Sequence, residues 1–308
     1  MSEGNSDLER ISGSDPLPAS LEPARPKSPV AWEPLTPRGV AAFARARWGR
    51  YHLVALAVSL IGAASVLWFV ATAWAPVLAK AIGQLPDTGL IQHRQLSIPR
   101  RSPEPLAIND FLGVGVDAEA RSNANVGSDI YIKFQRTEML FCSFLGCAAL
   151  PYPEGWTIQF NRPELEPWWG AWKPFLMTGL FLGTAALLMG TWLLLGMIYA
   201  PVVWLVTRSR GHKLSGGPCW RLAAAANLPG ALWLSLVILA YGLGLLGLVP
   251  FCILALAHFL PAWVYVFMVP QRVLQPPSNP QQPMNPFATG THPADRAGKS
   301  ENVFRPGS

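Results

Sequence analysis

Few side chains along the chain have the type and spacing to do chemistry. Cys142 and Cys147 lie in the apolar run 139–150 as a Cys-x4-Cys pair. Outside a reducing compartment such a pair closes a disulfide where the side chains converge, and otherwise stays as two buried thiols. Without a His or a second Cys pair nearby, it falls short of the four ligands of a zinc site. Cys219 and Cys252 have no evident partner. His258 stands in the stretch 222–271, which has no Asp, Glu, Lys or Arg. An imidazole in an apolar span is a candidate intramembrane polar site, since it titrates near neutrality. A proton relay needs acidic or basic partners and the apolar runs supply none, so the expectation is a neutral ring bonded to a neighbouring helix.

Other patterns carry less chemistry. Gly113-Val114-Gly115 lacks the third glycine and the following helix of a dinucleotide fingerprint, and no GxxxxGK[ST], HExxH or GxSxG is present. The histidines at 52, 93, 212, 258 and 292 fall in different segments and do not form one site. No catalytic residue, cofactor or metal is expected. Trp168, Trp169 and Trp172 follow Glu164 and Glu166 and suit either an aromatic platform for a headgroup or anchoring at a membrane boundary, the better explanation. Gly179 and Gly183 form a GxxxG that Ala186 and Gly190 continue, and Ala231, Ser235 and Gly242 make a similar stripe. Small-residue faces let helices approach closely. The expectation is packing within this chain, with a partner or a second copy as the alternative.

These residues are carried by elements written for a bilayer. Charged residues are 14% of the chain, against roughly 25% in soluble proteins, and 13 tryptophans accompany a positive mean hydropathy. The net charge of +6 is spread around apolar runs, which fits a membrane address better than nucleic acid. Residues 51–74 have no charge, and roughly 20 apolar residues cross the hydrocarbon core. Three more spans are expected at 174–199, 229–247 and 251–270, with a kink at Pro201 and breakers at Gly247 and Pro250. Arg38, Arg45, Arg47 and Arg50, then Arg208, Arg210, Lys213 and Arg221, then Arg272 all fall on one side of this arrangement. By the positive-inside rule that side is cytoplasmic, with both termini. The basic loop between the second and third spans is expected over 200–228.

The segment 75–173 changes character. Leu112, Val114 and Val116 alternate with Gly113, Gly115 and Asp117; Ile130, Ile132 and Phe134 alternate with Tyr131, Lys133 and Gln135; Trp156, Ile158 and Phe160 follow the same rule. Period two with β-branched and aromatic residues predicts half-buried strands in a small extracytoplasmic domain. The polar run 119–128 reads as the loop of a hairpin, 90–98 as a weaker strand, and 139–150 as a core helix or interfacial segment too short to span. Residues 38–50, with Val40, Phe43, Ala44 and Trp48 among arginines, predict a short basic helix on the inner leaflet. The tails 1–37 and 271–308 hold seven prolines each and little apolar content, the composition of disorder. In the second, the PxxP spacings from Pro277 to Pro286 suit polyproline II and a docking groove, and Asn285-Pro286-Phe287 is a weak docking motif.

A basic helix leading into RWGRYHLVALAVSLIG (47–62), LPDTGLI at 85–91 and NLPG at 227–230 resembles uncharacterised bacterial membrane proteins distantly grouped with the Yip-type superfamily. The likeness covers 38–270 by order of parts. Yip-type proteins usually pack five spans together without a large outward insertion, and this chain departs from that. The resemblance implies a non-enzymatic protein acting through helix–helix or lipid contacts, and it carries over no catalytic residue. The expected protein is thus a four-helix membrane bundle with an inserted β-rich domain, placed in a bacterial inner membrane. Its expected partners are the lipid bilayer and a protein or second copy met through the transmembrane helices. Binding or organising membrane partners is the expected role; moving a lipid or small apolar solute is the alternative.

Overall fold

Caps and prolines mark where the helices begin. A computed structural model describes residues 33–99, 105–118, 127–211 and 214–273. The Thr36 hydroxyl accepts from the Gly39 amide at 3.0 Å and Pro37 opens α1, Pro37–Phe43. Asn161 accepts from the Glu164 amide at 3.1 Å and starts α4, Arg162–Ser209. That helix stops before Gly211, whose φ of +77° is a left-handed conformation suited to glycine. α2, Trp48–Phe69, passes through a π-helical turn at Val70–Trp74 into α3, Ala75–Gly83. α5, Gly216–Ala225, and α6, Leu228–Gly242, make one interrupted rod. α7, Leu248–Leu256, and α8, Phe259–Val273, make another.

Among the described residues these rods give four helices long and apolar enough to cross a membrane: Trp48–Gly83, Arg162–Ser209, Gly216–Gly242 and Leu248–Val269. The 48 residues of α4 are about 72 Å of helix, far more than a hydrocarbon core of roughly 30 Å needs. α2–α3 and α4 therefore extend beyond any single crossing, and α3 supplies Val77 and Ala81, with Leu85 just past its end, to the core of the sheet domain. The helices outrun the expected boundaries at both ends. Residues 75–83 and 162–173 are helical although assigned to the β-rich domain, and α4 and α5 occupy most of 200–228, the stretch expected as a basic loop. Hydropathy registers where a helix is apolar, whereas caps decide where it stops. Hydroxyls in the rods bond their own helix, Ser59 to the Ala55 carbonyl at 2.9 Å and Ser235 to that of Ala231 at 3.1 Å.

The bundle core joins Val40, Phe43, Tyr51, Trp192, Val203, Leu222, Leu228 and Val266. α4 packs along α2 and α5, α2 along α6, and α1 against α8. α1 thus corrects one expectation: the helix ends at Phe43, and Val40 and Phe43 are fully buried in the bundle rather than laid on a leaflet. The glycine stripe is a second correction. Nothing lies within 4 Å of a methyl placed on Gly179, Gly183 or Gly190, so this face does not pack the chain against itself. Close approach occurs elsewhere. A methyl on Gly196 would sit 2.6 Å from the Ala224 side chain and 3.0 Å from its Cα, and one on Gly230 would strike the His258 carbonyl.

The domain holds two sheets. β1 (Leu90–Gln92), β2 (Gln95–Ser97) and β8 (Ile158–Gln159) form one, in the order β2-β1-β8. The other runs β3 (Ala107–Ile108), β4 (Leu112–Val116), β5 (Ile130–Phe134), β6 (Glu138–Ser143) and β7 (Gly146–Pro151). β4 and β5 pair in parallel, Leu112 opposite Ile130 and Val116 opposite Phe134, so they are not arms of a hairpin. Alternation shows which residues share a face and is silent on strand direction. Residues 119–126 of their connection, and both tails with their proline spacings over 1–32 and 274–308, lie outside the described residues. The run 139–150 is a hairpin instead of a helix, turning at Phe144-Leu145 with Gly146 at φ +113°. An apolar run this short fits either period.

Gly196→Val is expected to lower the stability of the detergent-solubilised protein by about 1–3 kcal/mol through overpacking. Gly183→Val should leave thermal unfolding unchanged. Equal destabilisation by both would contradict the packing described.

Candidate functional site

The sheet domain meets the bundle through polar clasps and a ring cluster. Asn109 folds its own loop, accepting from the amides of Phe111 at 3.0 Å and Leu112 at 2.8 Å. Its amide nitrogen donates to the Ala73 carbonyl at 2.7 Å, inside the π-helical turn where the regular helical ladder is interrupted. Asp129, just before β5, accepts a 2.6 Å hydrogen bond from the Tyr241 hydroxyl near the end of α6. Phe69, Phe111, Tyr241 and Phe251 stack beneath it, with ring centroids 4.5–5.4 Å apart along the contacts from Phe69 to Phe251. Offset and edge contacts of this kind contribute about 0.5–1.5 kcal/mol each beyond burial.

Beside the clasp a cleft of about 450 Å³ separates the domain from the α6–α7 connection, with Asp129, Tyr131, Cys142 and Phe144 on one wall and Val249 and Pro250 on the other. A second cleft, about 230 Å³ and wholly apolar, lies between α3, the sheet and the start of α4, walled by Leu78, Ile82, Phe134, Trp168 and Trp169. Trp168 and Trp172 stack at 6.4 Å, both about half exposed. The expected tryptophan group is therefore part cleft wall and part surface.

Cys142 and Cys147 face each other across β6 and β7 and are joined by a disulfide. Their Cα atoms are 4.0 Å apart, the spacing of a non-hydrogen-bonded antiparallel pair. By the alternation of such ladders, the N–H groups of Cys147 and Ala149 point away from β6. Cys219 is buried in the bundle and Cys252 partly so, both as free thiols. His258 sits between α7 and α8, its Nδ1 bonded to the Ala255 carbonyl of its own rod and its ring against Phe259. It does not bond a neighbouring helix through its imidazole; its backbone carbonyl is what meets Gly230 of α6. The disulfide, the glycine stripe and His258 thus do not converge on one site, and among the described residues no three His, Cys, Asp or Glu side chains gather as a metal site would require.

Sequence reasoning passed over three pairs. Lys133 and Asp117 form a 2.7 Å ion pair with both side chains almost fully buried, although the alternation of β5 assigns Lys133 to a polar face. Asp129–Tyr241 and Asn109–Ala73 are the other two. Asn109-Asp110 before a strand is a local turn signal, while nothing along the chain announces a partner 112 residues away. Tyr152 donates to the Gln135 carbonyl at 2.7 Å, and burial, then the charge of Glu138, pushes its phenol above its ordinary value.

No family model, curated protein or solved structure matches this chain.

Two outcomes are expected. Tyr241→Phe should cost about 1.5–3 kcal/mol, the range for a hydrogen bond to a charged group, and hydrogen exchange should quicken at the start of β5. Unfolding without reductant should expose two reactive thiols and unfolding with reductant four. Closing a loop with sequence separation 5 corresponds to about 2 kcal/mol of stability lost on reduction.

Proposed function

We propose that this protein is a non-catalytic integral membrane protein that binds and organises partners at an inner membrane, with both termini cytoplasmic and the sheet domain outside. The arginines that flank the spans support this orientation. The observation that carries the function is the free edge of β7. All six of its residues, Gly146–Pro151, are exposed, and it closes the five-stranded sheet with no further strand beside it among the described residues. Natural edge strands are usually blunted by charge, proline or a covering segment. β7 carries no charge and only a terminal proline, so its outward N–H and carbonyl groups suit an extended segment of a partner, added as a sixth strand.

A second reading, handling of a lipid or small apolar solute, draws on the 230 Å³ apolar cleft. The apolar stretches 51–74, 174–199, 229–247 and 251–270 hold no Asp, Glu, Lys or Arg to bind an ion and no acid–nucleophile cluster, which favours neither an ion pathway nor an enzyme.

Mild-detergent purification followed by mass spectrometry of bound proteins and lipids separates the two. A stoichiometric protein partner is expected with the wild type and with Ala149→Val, and should be lost with Ala149→Pro. Proline there removes an outward N–H and touches no bond of the β6–β7 ladder. A partner retained by Ala149→Pro overturns the edge as the binding surface. A partner-free protein holding one lipid class favours the second reading.

A further inference from the structure

We propose that the Phe144–Leu145 tip of the β6–β7 hairpin is a wedge that enters the outer leaflet of the bilayer and fixes the sheet domain against the membrane surface. This rests on the membrane reading given above. Two-residue hairpin turns are normally made by Asn, Asp and Gly, which adopt the required backbone at little cost. Here the turn is Phe-Leu, and both side chains are exposed: Phe144 is 55% and Leu145 83% exposed, the latter the highest value among the large apolar side chains of the described residues. Neither residue helps the turn or the core, so their apolar surface has no use inside the domain.

What covers that surface follows from its neighbours. Phe144 lines the same cleft as Val249 and Pro250, so the tip lies beside the α6–α7 connection, at the end of the spans. Around that connection Leu243, Leu245 and Val249 are also exposed, at 63%, 72% and 52%. With the spans in a bilayer, the tip continues the lipid-facing surface of the bundle. Charge along the hairpin points the same way. Residues 139–150 carry none, whereas Glu138 begins β6 and Glu154 follows β7, at the opposite end from the tip. The length of a six-residue strand, about 20 Å, separates an apolar tip from a charged base. The Cys142–Cys147 disulfide ties the two strands one residue pair below the turn's flanking pair, so the tip is presented as a stiff unit. α2–α3 and α4 hold the domain at its two chain ends and the Tyr241–Asp129 bond holds it to α6; the wedge adds a contact with the lipid itself.

The test uses the full chain in lipid nanodiscs, with a diazirine analogue of leucine placed singly at position 145, 187 or 154. Irradiation, digestion and mass spectrometry then report lipid adducts. Leu187 lies on α4 and is 70% exposed, so it is the lipid-facing reference, and Glu154 is the aqueous one. Adducts at 145 in a yield comparable to 187, with none at 154, are the expected result. Adducts at 187 but none at 145 overturn the wedge and leave the membrane reading standing. Adducts at both 145 and 154 overturn it too, because the whole hairpin would then lie in lipid. No adduct at 187 overturns the membrane reading and the wedge with it.

Discussion

An apolar surrounding offers no hydrogen bonds to a backbone, so a segment placed in it must satisfy every N–H and carbonyl from within. The four long rods answer to this constraint, and most of the remaining structure hangs from it. Hydroxyls of Ser59, Ser65, Thr72, Thr191 and Ser235 turn back onto carbonyls four residues earlier. The interruptions between α5 and α6 and between α7 and α8 adjoin Pro229 and Pro261, whose missing N–H groups break the ladder. There the backbone finds nearby substitutes: the Asn227 amide side chain donates to the Ala223 carbonyl at 3.0 Å. Gly230 then lets the two interrupted rods touch at His258.

Because α2–α3 and α4 are longer than one crossing, they act as two rails on which the sheet domain is built. α3 is part of the domain's core, so the domain is not a bead on a flexible string. The clasp from Asn109 to the π-helical turn and the bond from Tyr241 to Asp129 come from different spans. Together with the ring cluster they join the sheet to both α2 and α6. A domain so held has a defined face toward the bundle and a defined free edge.

At the opposite end of the bundle an arginine serves packing. Arg221 donates to the Ala44 carbonyl at 2.8 Å and lies over the Trp48 ring, which stacks on Trp220 at 4.9 Å. The apolar stem and planar head of arginine suit such a half-buried place. The short α1 is held there between α5 and α8, with Val40 and Phe43 inside the bundle.

By itself the sequence determined what depends on near neighbours. Four apolar rods, a β-rich insertion and the alternating strands are local in origin, and so are the N-caps at Thr36 and Asn161, which the expected boundaries at 38 and 174 passed over. Runs without charge, period two and a capping oxygen three residues before an amide can all be read along the chain. Only the tertiary structure decided matters that need a partner from far away. β4 and β5 run parallel, 139–150 is a hairpin, Lys133 is buried on Asp117, and Tyr241 meets Asp129. The glycines tell the same story. Small residues permit close approach of two helices without compelling it, so the spacing of Gly179 and Gly183 does not reveal which surface they face. Within the rods Gly62, Gly196, Gly230 and Gly242 are the ones that meet a neighbouring helix, and of these only Gly242 stood in an expected stripe, because contact is fixed by how whole rods cross.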